Sequence, residues 1–175
     1  MPEIGFNNLG NNSLPFLDTA GFHLEETLFA YTAVAGDIVD EMFFRGNDNA
    51  NVGTTAEVAI YDIIAGVIAN QIGGSQIIPI VGGADAWFSS GPINIPLVAG
   101  TDYTIANTTN NSPDTRVMTG LPNGSHELRP ANPLPDPWPA GGIIRGWTNC
   151  IYANVTNVGP PVSTIIYPCC AQLIT

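Results

Sequence analysis

An all-β chain folded as a single antiparallel β-sandwich is predicted by three observations. Residues 28–107 divide into short segments rich in isoleucine, valine and aromatic residues. Turn signals recur about every eight to twelve residues along them, the spacing of a sandwich or barrel. The stretch with helical spacing, Ile60, Ile64, Val67, Ile68 and Gln71, carries Gly66 in its middle and lacks the charged outer face of a surface helix. A helix over 56–72 is therefore the weaker alternative to strands there.

Taken in order, residues 28–35 carry Phe29, Tyr31 and Val34 before the turn pair Gly36-Asp37, and residues 38–45 place Ile38, Met42 and Phe44 on one side of a pleat. Residues 57–64 put Val58, Ile60 and Ile64 on one face. Residues 76–81 form a short apolar run between Gly73-Gly74 and Gly83, so the glycine pairs 73–74, 82–83 and 141–142 read as strand turns. Ile93, Ile95 and Leu97 alternate with Asn94 and Pro96, and the proline marks an edge strand or a bulge. Tyr103 and Ile105 open the next strand, which the polar cluster 107–114 ends. Residues 121–126 are a turn, and the prolines of 130–139 make a stiff, extended surface crossing. The last long strand is expected over 143–155, with Trp147, Ile151 and Val155 on one face and Thr148, Cys150 and Tyr152 on the other.

The ends differ from this pattern. Residues 1–24 read as an N-terminal arm, 25–157 as the sandwich and 158–175 as a C-terminal tail. Scattered anchors in the arm (Phe6, Leu14, Phe16, Phe22) cannot form a core of their own. The arm then drapes over the domain or docks on a neighbouring subunit, unless it is a terminal strand plus loop. Within the tail, the apolar residues 162–167 read as a further strand or a second docking arm.

A chain of 175 residues is one domain by length and buries about two thirds of its unfolded surface without staples. Four arginines and no lysine against fifteen acidic residues give a formal charge of −11, which disfavours nucleic acid and anionic membranes as partners. Met1 to Gly5 lacks the basic start and apolar core of a secretory signal, so synthesis in a cytoplasm is expected. Cys150, Cys169 and Cys170 show neither a disulfide framework nor zinc spacing.

Candidate chemistry is sparse, and no catalytic residue, cofactor or metal site is expected. His23 and His126 stand in no metal-binding pattern, and no nucleophile elbow or phosphate loop is present. A glycosidase needs two carboxyls facing one cleft. Glu57 and Asp62 flank one strand, while Asp40 and Glu41, being adjacent, fall on opposite faces of another. The loop 46–51 has oxygen-rich side chains suited to calcium but not the spacing of a helix-loop-helix site, and reads as a solvated loop. Trp87 and Trp138, in glycine- and proline-rich surroundings that suggest exposure, are the candidates for ligand binding.

Three segments carry a family resemblance: Leu28-Phe29-Ala30-Tyr31-Thr32-Ala33 followed by Gly36-Asp37; Glu57-Val58-Ala59-Ile60-Tyr61-Asp62; and the run from Ile95-Pro96-Leu97-Val98-Ala99-Gly100 to Thr101-Asp102-Tyr103-Thr104-Ile105-Ala106. This order is similar to lectin-like jelly-roll domains found in carbohydrate-binding modules and in structural proteins of tailed bacteriophages. Leu134-Pro135-Asp136-Pro137-Trp138 and the strand ending Ile151-Tyr152-Ala153 resemble the closing segment of that group. The resemblance implies a jelly-roll virion protein, most like a capsid decoration or cement protein on the exterior of a phage head. Its partner would be the major capsid protein lattice, and its assembly a homotrimer. A composition 45% apolar and only 11% charged fits a surface partly covered by neighbours. Phe6, Leu14, Phe16 and Trp138 are then the candidate assembly contacts. The alternative is a module binding a glycan or host receptor.

Overall fold

The structure, a computed structural model, describes residues 2–8, 10, 12–15, 23–25, 30–110, 113–120, 125–128, 133–140, 143–145 and 147–159. These residues contain strands and no helix, arranged in two antiparallel sheets, so the all-β sandwich expected from the sequence is what the chain forms. The strands are β1 (Glu3–Gly5), β2 (Asn12–Pro15), β3 (His23–Glu25), β4 (Tyr31–Thr32), β5 (Asp37–Asn47), β6 (Thr55–Ile64), β7 (Val67–Pro79) and β8 (Ala86–Ser89). They continue with β9 (Ile95–Pro96), β10 (Asp102–Thr109), β11 (Asp114–Thr119), β12 (Ser125–Leu128), β13 (Ile143–Arg145), β14 (Trp147–Asn149) and β15 (Ile151–Asn157). The first sheet runs β1-β15-β5-β11-β14, with β8 and β9 also on β5 and β2 on β11; the second runs β13-β12-β3-β10-β6-β7, with β4 on β10.

Alternation along β15 and β5 shows how the core is made. Ile151, Ala153 and Val155 are buried, while Tyr152, Asn154 and Thr156 face outward. On β5 the parity changes once. Asn154 pairs with Glu41 but Val155 with Val39, so Asp40 is an extra residue in a bulge. Val39 thereby joins Met42 and Phe44 in the core, and Ile38 does not share their face as the sequence pattern suggests. From the facing sheet come Val58, Ile60, Ile78, Tyr103 and Ile105, which close the same apolar cluster.

The segment with helical spacing is the β6–β7 hairpin. Its turn residues Ala65 and Gly66 both have positive φ (52° and 77°), the backbone that matches the right-handed twist of paired strands. Ile64 stands beside that turn and is exposed rather than aligned with Val58 and Ile60 in the core. β7 continues through Gly73-Gly74, which are a bulge inside the strand and not a turn: Val58 pairs with Gln76 but Ile60 with Ile72. A Cβ on Gly73 would lie 2.6 Å from Ile95 Cγ1, so the facing sheet presses directly on this backbone.

Further readings change with the tertiary context. Among the described residues of 28–35, only Tyr31–Thr32 is strand. β10 extends to Thr109 with Asn107, Thr108 and Thr109 buried, and Asn149 Nδ2 donates to Asn107 Oδ1 at 2.7 Å, so polar residues here continue the strand. Residues 143–155 are three strands: β13 joins the second sheet, β14 and β15 the first. Cys150 lies at the break and is fully buried, not on an outer face with Tyr152. Within 1–24, the described residues include three segments that pair into the sheets. β1 pairs with β15, β2 with β11, β3 with β10 and β12, and Ile4 is fully buried in the core. Residues 160–175, the greater part of the expected tail, lie outside the described residues.

One end of the sandwich is tied by a buried carboxylate. Asp37 accepts from Tyr31 Oη at 2.5 Å, the Val34 amide at 2.8 Å and Asn157 Nδ2 at 2.7 Å. Burial alone would push this carboxyl up, but the three donors outweigh it and hold it below the ordinary 3.8. Burial, the hydrogen bond to Asp37 and its negative charge push the Tyr31 phenol up to about 12. The two shifts bound a pH window. The Asp37 contribution is complete above the ordinary carboxylate range and is lost as pH falls through its lowered value. The Tyr31 contribution is complete below the ordinary 10.0 and is lost as pH rises toward about 12. Asp37→Asn is expected to cost about 1–3 kcal/mol at neutral pH, because donors are left facing an amide. Urea midpoints measured against pH should show the variant and wild type converging at the acid end, and the gap between them narrowing again as pH rises toward about 12.

Candidate functional site

The face of the first sheet turned away from the core carries a cluster of aromatic side chains. β1, β15, β5 and β8 lie side by side there, and the register sets their outward residues in rows: Tyr152 opposite Phe43, Phe43 opposite Ser89, Arg45 opposite Trp87, and Asn154 between Glu3 and Glu41. The rings of Phe43 and Tyr152 stack at 4.6 Å between centroids with planes 8° apart. Trp87 meets Tyr152 edge to face at 5.0 Å, and the Arg45 guanidinium sits 5.5 Å from the Trp87 ring centroid. All four side chains are half-buried. Phe88, next to Trp87, points the other way and packs on the core.

Carboxylates border these rings. Glu41 accepts from Ser89 Oγ, and Glu3 accepts from Asn7 Nδ2 at 2.9 Å. Burial pushes the Tyr152 phenol up, and the negative charges of Glu3 and Glu41 add to the shift. The bulge has a further effect. Val39 and Met42 both point inward, so Asp40 and Glu41 both point outward, the former accepting from Thr156 Oγ1. The expectation that these adjacent carboxyls lie on opposite faces fails because of that extra residue. Farther along the face, Arg116 forms an ion pair with Asp85, which also accepts from Asn47 Nδ2 at 2.9 Å.

The sequence candidates fall in different places. Trp87 is at the centre of the aromatic face. Trp138 is not exposed: it is 8% accessible, packed edge to face on Tyr61 at 5.1 Å, with its amide donating to Ala69 O at 2.7 Å. Phe6 follows β1, half-buried, and its amide donates to Ile151 O at 2.6 Å. Leu14 is in β2 opposite Thr115, and Phe16 and Phe22 lie outside the described residues. His23 and His126 are on the neighbouring strands β3 and β12, and Trp147 is on β14 opposite Thr119. Glu57 is spent on the Leu134 amide and Asp62 on the Asn70 amide.

In the loop 46–51 the side-chain oxygens of Asn47 and Asp48 are engaged by the protein's own backbone. Asn47 Oδ1 accepts from the Asn49 amide at 2.8 Å, and Asp48 accepts from Ala50 at 2.9 Å and Gly82 at 2.7 Å. Among the described residues no group of three or more histidine, cysteine, aspartate and glutamate side chains could hold a metal ion.

Phe43, Tyr152 and Arg45 are the site residues that sequence reading missed. A signal for them existed. In Met42-Phe43-Phe44 and Ile151-Tyr152-Ala153 the flanking residues form the core, so each central aromatic must stand on the outer face. The chain matches no protein-family model and no curated protein sequence. Fold and site together define an all-β sandwich with an aromatic cluster on one outer sheet face, bordered by carboxylates.

Proposed function

We propose that this protein is a non-catalytic virion structural protein, a decoration or cement protein that docks on the outer surface of a tailed-phage capsid through the aromatic face. The observation that carries the reading is the cluster of Trp87, Tyr152, Phe43 and Arg45 on an otherwise polar sheet face. Tryptophan, tyrosine and arginine dominate the energetics of protein interfaces, and centrally placed rings shielded by neighbours are where that energy concentrates. A decoration protein needs only modest affinity per copy, because a lattice presents many equivalent sites. The resemblance to phage jelly-roll domains and the low charge density support the same reading, with a homotrimer as the proposed assembly.

The ring geometry also favours a protein surface over a sugar. Phe43 and Tyr152 each turn a face toward the other, whereas sugar stacking uses open ring faces. The second reading, a glycan- or receptor-binding module, is favoured by the polar groups around Trp87 and Tyr152, namely Ser89, Glu41, Asn154 and Glu3. Co-sedimentation with capsids separates the two. The double variant Trp87→Ala/Tyr152→Ala is expected to lose capsid binding while retaining its fold by circular dichroism. Undiminished binding of the folded variant would remove the face from the proposal. Glycan-array binding that disappears with Trp87→Ala, without any capsid association, would establish the second reading instead.

A further inference from the structure

We infer that the aromatic face receives a basic segment of the partner protein, an arginine side chain seated against the rings and paired with Glu3 and Glu41. The inference rests on the docking role proposed above and adds the chemistry of the partner. Three carboxylates, Glu3, Asp40 and Glu41, stand on this part of the sheet against one guanidinium, Arg45, which is already held over Trp87. Among the described residues, no cation lies within ion-pair distance of Glu3, Asp40 or Glu41. Glu3 spends Oε1 on Asn7 and Glu41 spends Oε1 on Ser89, so each keeps Oε2 for a donor from outside.

Those two carboxylates flank Asn154, the outward residue next to Tyr152 on β15, Glu3 from β1 and Glu41 from β5, and so stand diagonally across from the Tyr152 ring. Their negative potential reaches the ring itself, where it adds to the upward shift of the Tyr152 phenol. A planar cation fits this arrangement better than any other side chain. Guanidinium stacks on aromatic surface and donates in-plane to carboxylate, and it is more weakly hydrated than an ammonium. The net charge of −11 adds long-range attraction for a basic surface.

The test is an NMR titration of the full chain with two capped peptides, acetyl-Gly-Arg-Gly-Arg-Gly-amide and its glutamate counterpart. The arginine peptide is expected to shift the Trp87 indole and the Phe43 and Tyr152 ring resonances, with an affinity that falls as salt rises. E3Q/E41Q should weaken it about fivefold or more, because the uncharged amides keep the shape but not the attraction. Equal shifts from the glutamate peptide, no ring shifts with the arginine peptide, or full affinity in E3Q/E41Q would overturn the inference. Capsid co-sedimentation keeps the two proposals apart. Loss of binding in Trp87→Ala/Tyr152→Ala but not in E3Q/E41Q leaves the docking face standing and removes its cationic partner. Binding that survives both variants removes the docking face as well.

Discussion

Trp138→Ala is expected to lower the stability of the folded chain by about 3–5 kcal/mol, the cost of emptying a large buried aromatic site. Residues 133–140 cross the outer face of the second sheet, and Trp138 with Leu134 forms a second apolar cluster there on Ala59, Tyr61, Ile68 and Ala106. Pro135 O accepts from Tyr61 Oη at 2.6 Å, Asp136 Oδ1 from the Gln71 amide at 3.0 Å, and Glu57 from the Leu134 amide at 3.1 Å. The crossing is thus fastened at both ends of a short span, with the indole as its apolar anchor. Removing the ring leaves a void between crossing and sheet, which the fixed backbone contacts keep from collapsing. Equilibrium urea unfolding measures the loss. Were Trp138 a surface contact for a partner, the same substitution would leave stability within about half a kcal/mol and weaken binding instead.

Gly5→Ala is the other large effect, with an expected loss of about 3 kcal/mol or more. Gly5 has a φ of +96°, and an added Cβ would stand 2.5 Å from Ile151 O and 2.6 Å from Ile105 Cγ2. The first atom belongs to the backbone of a core strand and the second to the opposite sheet, so neither can yield cheaply. β1 would have to pull away from β15, exposing the fully buried Ile4 and displacing Glu3 from beside Asn154. Thermal melts should register the destabilisation. At temperatures where the variant stays folded, proton exchange of the Phe6 amide, which donates to Ile151 O, should be faster than in wild type.

Much of the fold is legible where one residue pattern decides one local structure. The alternation of Ile93, Ile95 and Leu97 with Asn94 and Pro96 is read correctly, because only one face of that short edge strand meets the core. The bulges are not legible in this way. Asp40 carries no mark that it will be the extra residue, since its position is fixed by pairing with β15, more than a hundred residues later. Gly73-Gly74 does carry a mark, but glycine pairs serve turns and bulges equally, and contact with Ile95 is what requires one here. Trp138 reads as exposed because its neighbours are prolines and glycines. What buries it is Tyr61, an outward residue of β6 that would otherwise face water. The candidate site is half legible for the same reason: Trp87 stands out by composition, while Phe43 and Tyr152 become partners only when β5 and β15 are paired.

The placement of β15 has a bearing on how the chain reaches this state. β15 follows every other described strand in chain order, yet it lies inside its sheet, between β1, the first of them, and β5. On a ribosome, β1 has no described partner strand but β15, and one edge of β5 stays open, until residues 151–157 have emerged. The second sheet can pair β6 with β7 and then β10 much earlier, since those strands follow closely in sequence. Synthesis therefore leaves a half-built sandwich with an uncovered apolar layer, and closure waits for a strand that must insert between two waiting edges. Such long-range pairing is slow and exposes the nascent chain to association with its neighbours.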